Sequence, residues 1–231
     1  SILFVFLNHY AEWFKWKNTL ITLSVEHTNK DLFQSYMSGN LTGFLTPNLI
    51  GNFVGRIFYF QRENRISITF LTIISNGAQF ISSILFGLIS VLIIGLPENI
   101  GIRKDFNIDI LILILLFFIL YGYYKMFHIS RLLFIKKRWM KRVLYKTRNK
   151  QKFLIRQLIL SMLRHFIFSL QYFFILLAFG VEFDWMILFL IWQVFLWSTL
   201  IPSLWLGKLI IRESVAIWIF SQTSIPIEVV L

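Results

Sequence analysis

Three long apolar segments constrain this fold more than any other feature of the sequence. They cover residues 66–96, 110–128 and 153–180, and each is long enough for a helix that crosses a lipid bilayer. The chain is 57% hydrophobic and only 15% charged, whereas soluble domains carry charge on about a quarter of their residues. The sequence therefore predicts an all-α, polytopic transmembrane helical bundle and excludes a soluble globular domain.

A further apolar stretch, residues 36–56, contains residues that disfavour a straight helix. Pro47, Gly51 and Gly55 interrupt it, and it ends at Arg56. Backbone that is broken at membrane depth is stable only where protein or a water-filled cavity surrounds it. The stretch therefore predicts a re-entrant helical hairpin beside a binding site.

A second stretch near the carboxyl end repeats this order. An apolar helix is followed by Pro202, then by Gly207, and then by Arg212. Three predicted spans separate the two stretches, and an odd number of spans places them in opposite orientations. Opposed broken helices of similar sequence are typical of an inverted repeat, so we expect the two hairpins to meet near the middle of the membrane.

The basic residues concentrate in one segment, 125–156, and no acidic residue occurs between Ile110 and Val181. An excess of Lys and Arg marks a loop on the cytoplasmic side. The net charge of +12 therefore reflects membrane topology, and nucleic acid is not an expected partner. The segment predicts a multi-pass protein of the cell (inner, cytoplasmic) membrane whose basic loop attracts anionic lipid headgroups.

Residues 46–56 follow a Thr-Pro-Asn-x-Ile-Gly-Glu-x-x-Gly-Arg pattern at most of its positions. In this respect the sequence resembles the transmembrane region of lysylphosphatidylglycerol synthases and the flippase-like family built on that region. The sequence departs from the family pattern at two positions. Asn52 stands where the family has an acidic residue, and Leu49 stands where a basic residue is common. Glu213 is then the only acidic residue in the two predicted hairpins. The matching positions, here and in two further stretches, are Thr46, Pro47, Asn48, Gly51, Gly55 and Arg56, then Asn8, Glu12, Lys15 and Trp16, then Ile201, Pro202, Gly207, Arg212, Glu213 and Ser214.

The resemblance implies an integral membrane protein that moves a lipid or a lipid-linked sugar across the bilayer. It does not imply aminoacyl transfer, which the synthases carry out in a separate soluble domain. For such a carrier, Arg56, Arg212 and Lys208 offer cations to a phosphate group, because the planar guanidinium suits phosphate oxygens. The other candidate headgroup-binding residues are Thr46, Asn48, Asn52, Asn76, Gln79, Arg164, Gln171 and Glu213.

Structural roles for the same residues stay open. The two arginines could pair with Glu213 or cap helix ends, and Arg164 could extend towards the basic loop. Polar side chains recur on one side of the first and third predicted spans, where hydrogen bonding between helices is an alternative explanation. These side chains are Thr72, Ser75, Asn76, Gln79, Ser82 and Ser83 on the first span, and Gln157, Ser161, Arg164 and Gln171 on the third.

The sequence offers little for catalysis, and we expect no enzyme activity, no cofactor and no metal. It contains no cysteine, and the neighbouring His27 and Asp31 suit an interfacial loop better than an active site. His128 and His165 are isolated, so neither predicts a metal ligand set.

Both ends of the sequence suggest a longer protein, with further helices expected before residue 1 and after residue 231, so residues 1–231 form one partial membrane domain. The leading functional prediction is a flippase-like transporter of an anionic phospholipid or polyprenyl-phosphate-linked intermediate, which could form a homo-oligomer. The alternative is a non-transporting membrane subunit that docks a cytoplasmic enzyme through its basic loop. A membrane-embedded lipid-modifying enzyme ranks third.

Overall fold

The computed structural model of the protein describes residues 2–46, 51–96, 106–134, 138–147, 149–201, 205–221, 223 and 225. Within these ranges the chain forms ten α-helices and no strand. The helices are α1 (Ile2–Thr22), α2 (Asn29–Phe44), α3 (Gly51–Ile57), α4 (Arg62–Ile94), α5 (Phe106–Tyr124), α6 (Met126–Phe134), α7 (Arg138–Lys146), α8 (Lys150–Ala178), α9 (Trp185–Leu200) and α10 (Trp205–Phe220).

Three of these helices, α4, α5 and α8, are long and apolar enough to cross a membrane. They coincide with the three predicted spans, with boundaries that differ by a few residues, so the all-α membrane fold is confirmed. Helix α5 exposes large apolar side chains such as Leu111, Phe117 and Phe118, as expected for a helix that faces lipid. Helix α9 is also apolar but has only 16 residues. Entry of the two hairpins from opposite leaflets stays a prediction.

From the sequence, the mixture of Trp and Lys in residues 8–30 is typical of a segment at the membrane–water boundary. In the structure helix α1 continues from Ile2 to Thr22, and Lys15 and Trp16 are buried against protein. Glu12, Lys15, Trp16 and Thr19 follow one another at intervals of one, three or four residues, which places them on one side of a helix. The polar side chains of Glu12, Lys15 and Thr19 therefore face protein partners.

The polar residues around Asp31 begin α2. The Thr28 backbone N–H and hydroxyl donate to the Asp31 carboxylate at 3.0 and 2.7 Å, and the Asp31 N–H donates back to the Thr28 hydroxyl. These two donors, the backbone N–H foremost, lower the pKa of Asp31 below its usual range. The pair forms a capping box that starts the helix, so Asp31 has a structural role here.

The chain divides into two compact units, each of which contains one of the predicted hairpins. The α3 unit consists of His9–Gln79 and Leu120–Ser161. The α10 unit consists of Ser1–Asn8, Phe80–Ile119 and Met162–Leu231.

In the α10 unit, α4 packs closely against α9. A Cβ atom at Gly87 would collide with the Leu196 side chain, so the absence of a side chain at Gly87 permits this contact. Two hydrogen bonds join the same segments: Ser90 donates to the Phe189 carbonyl at 2.6 Å, and Gln193 donates to the Gly95 carbonyl at 2.7 Å. Helix α10 packs against α8 and α9 through an apolar core of Phe173, Leu176, Ile187, Leu188, Ile191, Trp192, Val194, Phe195, Val215, Ala216, Ile219 and Phe220.

Candidate functional site

Helices α2 and α3 form a tight antiparallel hairpin in the α3 unit. A Cβ atom at Gly51 would collide with the Thr42 carbonyl, and one at Gly55 would collide with the Thr42 hydroxyl. Small residues let helix backbones approach closely, which is a common device in membrane proteins. Gly51 begins α3 and Gly55 lies inside it, so these glycines serve packing and do not interrupt the helix. Gly207 likewise lies inside α10.

Thr46 stabilises the turn of this hairpin. Its hydroxyl accepts a hydrogen bond from the Gly51 N–H at 2.6 Å and donates to the Thr42 carbonyl at 3.1 Å. The Thr42 hydroxyl in turn donates to the Gly51 carbonyl at 2.6 Å. Thr46 is a candidate for headgroup binding, and its hydroxyl thus accepts the hydrogen bond of the first backbone N–H of α3.

Arg56, at the end of α3, is buried with only 2% of its surface exposed. Its Nη2 lies 3.0 Å from the Glu12 Oε1, and the two form an ion pair. The guanidinium carbon lies 4.9 Å from the centre of the Trp16 ring and 5.8 Å from that of Tyr36. Arg56 is therefore held by one carboxylate and two aromatic rings, an arrangement that stabilises a desolvated cation.

Lys15 adds a second cation. Its Nζ lies 3.8 Å from the Glu12 Oε2 and donates to the Ser75 carbonyl at 3.2 Å. Among the residues that the structure describes, Glu12, Lys15 and Arg56 are the only buried Asp, Glu, Lys or Arg side chains. We call these three residues the buried charge cluster. Two cations and one carboxylate leave it with a formal charge of +1.

Hydrogen bonds join the cluster to α4 and α8. The Ser75 hydroxyl donates to Gln157 Oε1 at 2.8 Å, and Gln157 Nε2 donates to the Lys15 carbonyl at 3.1 Å. All three residues are buried. For Ser75 and Gln157, the polar sides of the first and third spans thus serve hydrogen bonding between helices, the alternative that the sequence left open.

A cavity of about 220 Å³ lies between the end of α1 and the start of α8, also in the α3 unit. Its lining is polar and basic. The lining residues are Asn18, Ile21, Thr22, Ser24, Asn149, Lys152, Phe153 and Arg156.

The second half of the predicted site lies in the other unit. Arg212 is half-buried and Glu213 is exposed in α10, so their convergence with Arg56 stays a prediction. Within its own unit Arg56 pairs with Glu12, and the alternative pairing of Arg56 with Glu213 stays a prediction. Arg164 Nε donates to Asn8 Oδ1 at 2.7 Å within the α10 unit, so its side chain has a partner there.

The remaining candidates are placed as follows. Asn52 is buried beside Gly43, while Asn76, Gln79 and Gln171 are half-buried. Pro47, Asn48, Pro202 and the side chain of Lys208 lie outside the described residues.

Sequence reasoning did not assign functional roles to several residues of this site. Glu12 was noticed as part of the family resemblance, Lys15 and Trp16 also as residues typical of a membrane boundary, and Tyr36 was not considered as a site residue. The available signal was the spacing of Asn8, Glu12, Lys15 and Trp16, which places charged and aromatic side chains on one side of a helix.

The family model described as the lysylphosphatidylglycerol synthase TM region matches residues 1–231. No curated protein and no solved structure matches the chain.

Proposed function

Because this chain belongs to the family of the lysylphosphatidylglycerol synthase TM region, we propose that it moves an anionic phospholipid or a polyprenyl-phosphate-linked intermediate across the bilayer. The chain is an integral membrane protein with three helices that are suited to crossing the membrane. Transport, placement in the cytoplasmic membrane with several passes, and the absence of enzyme activity are parts of this proposal.

The buried charge cluster is the observation that carries the proposal. Burial of a charged side chain in a membrane domain costs about 3 kcal/mol or more, and such residues usually mark substrate or ion pathways. Glu12 and Arg56 offset part of that cost by pairing. Lys15 shares the same carboxylate, so the three side chains carry two positive charges and one negative charge, which favours the approach of an anionic group.

Arg56 provides the chemistry for phosphate binding. A guanidinium carries five N–H donors in a planar fork that fits phosphate oxygens. Arg56 Nη2 donates to the Glu12 carboxylate, while Arg56 Nε has no hydrogen-bond partner among the described residues. A phosphate oxygen can therefore bind beside or in place of the Glu12 carboxylate, and Trp16 and Tyr36 hold the guanidinium in position meanwhile.

The proposed transport cycle exchanges partners at Arg56. Without cargo, the Glu12 carboxylate satisfies the guanidinium; with cargo, the phosphate takes over that contact while the acyl chains remain in lipid. Arg212 and Lys208 are the proposed cations of the second hairpin, where an inverted repeat would present them from the opposite leaflet.

Translocation of a fluorescent phosphatidylglycerol in vesicles that contain the complete protein tests the proposal. Arg56→Ala combined with Arg212→Ala should abolish translocation, and Arg56→Lys should reduce it because lysine lacks the planar fork. Arg62→Ala, at an exposed arginine at the start of α4, is the matched control. Wild-type translocation by the double variant would contradict the headgroup role.

The basic helix α7 favours the alternative function, a membrane subunit that docks a cytoplasmic enzyme. It buries Val143 and exposes Arg138, Lys141 and Tyr145, so a charged side is open to an acidic partner. Arg138→Gln with Lys141→Gln separates the two functions. A docking subunit should lose its partner in pull-down, whereas a transporter should keep its activity in isolated vesicles.

A further inference from the structure

The cavity between α1 and α8 has the size of a small polar ligand. Its volume is about 220 Å³. Sites for drug-sized ligands are larger, about 300 to 1,000 Å³. The cavity therefore suits an ionic group with a short substituent and is too small for a whole lipid.

The charged side chains that line the cavity favour an anionic ligand. Lys152 and Arg156 lie one turn apart on α8, and none of the described residues that line the cavity is acidic. Asn149, Lys152, Phe153 and Arg156 belong to the first two turns of α8 or directly precede them. The amino-terminal end of a helix carries a partial positive charge and amides without helical partners, which adds to the attraction for an anion.

Asn18 supplies an independent indication of a ligand. It lines the cavity with only 7% of its surface exposed, and its Nδ2 has no hydrogen-bond partner among the described residues. A buried donor without a partner costs about 1 to 3 kcal/mol, so such a group usually has a protein, water or ligand partner. A rotation of the terminal amide would present this donor to a ligand oxygen.

From these observations we propose that the cavity binds the phosphate group of an anionic phosphate ester. Lys152 and Arg156 contact the phosphate oxygens, Asn18 donates a hydrogen bond, and Ile21 and Phe153 adjoin the carbon substituent. A lipid headgroup and a soluble phosphate ester share this chemistry.

The cavity is close to the buried charge cluster along the chain. Asn18 lies one turn after Lys15 on α1, and Gln157, the neighbour of Arg156, donates to the Lys15 carbonyl at 3.1 Å. If the bound ester is a lipid headgroup, the cavity is where cargo first meets the protein, and that role depends on the proposed transport function.

Binding is measured on the complete protein in detergent by native mass spectrometry with phosphatidylglycerol, and by competition with soluble glycerol 1-phosphate. Lys152→Gln with Arg156→Gln should weaken lipid binding by at least about tenfold, the loss expected for charged hydrogen bonds. Arg138→Gln with Lys141→Gln removes the same charge from α7 and should change binding by less than about threefold, because these two residues do not line the cavity. All four residues are exposed, so the two double variants are matched in charge and exposure. Asn18→Leu should weaken binding without altering charge.

Equal losses in both double variants, or undiminished binding by Lys152→Gln with Arg156→Gln, would overturn the proposal. Competition by glycerol 1-phosphate would identify a site that accepts a soluble ester, and its failure would identify a lipid headgroup site. Unchanged thermal unfolding midpoints exclude misfolding as the cause of a loss. Because binding is measured without translocation, wild-type protein that binds phosphatidylglycerol in this cavity but does not translocate it would contradict the proposed function alone.

Discussion

Gly39 on α2 lies directly against the side chain of Arg56 on α3. A Cβ atom at position 39 would lie 2.5 Å from Arg56 Cγ and 2.7 Å from Arg56 Nε, too close for any packed pair of atoms. The absence of a side chain at Gly39 therefore provides the space in which the arginine reaches Glu12. Close helix packing and the buried charge cluster thus depend on one another.

The first prediction concerns that contact. Gly39→Ala should displace the Arg56 side chain or separate α2 from α3, and should destabilise the protein by about 1 to 3 kcal/mol. Denaturant titration in detergent measures the loss. Gly77→Ala is the matched control, because a Cβ atom there meets nothing within 4 Å, and it should be neutral or slightly stabilising. Equal stability of the two variants would contradict the tight contact.

The second prediction concerns the single carboxylate of the cluster. Glu12→Gln should destabilise the protein by about 3 kcal/mol, because it removes the carboxylate that pairs with two buried cations, Lys15 and Arg56. Thermal unfolding of the purified protein checks this, with Glu26→Gln at an exposed position as the control. A Glu12→Gln variant with the wild-type unfolding midpoint would show that the ion pair does not stabilise the fold.

The third prediction concerns the hydrogen bonds that join α1, α4 and α8. Ser75→Ala removes the donor to Gln157 Oε1 and should cost about 1 kcal/mol, in the range for bonds between membrane helices. Ser221→Ala, which removes an exposed bond within a single turn, should have little effect. A double-mutant cycle of Ser75→Ala with Gln157→Leu should show a coupling of similar size, and additive losses would argue against the bond.

The fourth prediction concerns the hairpin turn. Thr46→Val keeps the shape of the side chain but removes the acceptor of the Gly51 N–H, so it should destabilise the protein by about 1 kcal/mol. Thr46→Ser retains the hydroxyl and should preserve most of the stability. If both variants behave alike, the hydroxyl does not hold the turn.

The lengths of the apolar segments were sufficient to predict the helices suited to crossing a membrane. A segment in lipid must form its backbone hydrogen bonds internally, so it is a continuous helix and its sequence is a long apolar run. The hairpin break was predicted separately, from Pro47, Gly51 and Gly55. In the structure α3 begins at Gly51 and contains Gly55, and both glycines permit contact with Thr42. Sequence position alone does not distinguish a glycine that ends a helix from one that lets two helices approach.

The composition of the charge cluster could not be predicted in the same way. Arg56 was identified from its place after the break, but its partner Glu12 is 44 residues away on another helix. Lys15 and Trp16 next to an apolar run suggested a membrane boundary, whereas in the structure both are buried. A pairing between distant helices depends on tertiary packing, which periodicity within one helix does not specify.

The most direct test replaces all three residues of the buried charge cluster with apolar residues of similar size. Glu12→Leu with Lys15→Met and Arg56→Met removes the carboxylate together with both cations that pair with it, and such replacements are often neutral or stabilising for the fold. Translocation of fluorescent phosphatidylglycerol is then measured in vesicles that contain the complete triple variant. We expect an unfolding midpoint at least as high as that of the wild type and translocation no faster than in protein-free vesicles. Translocation within about twofold of the wild-type rate would contradict this expectation, since Arg56 would then only hold the hairpin together.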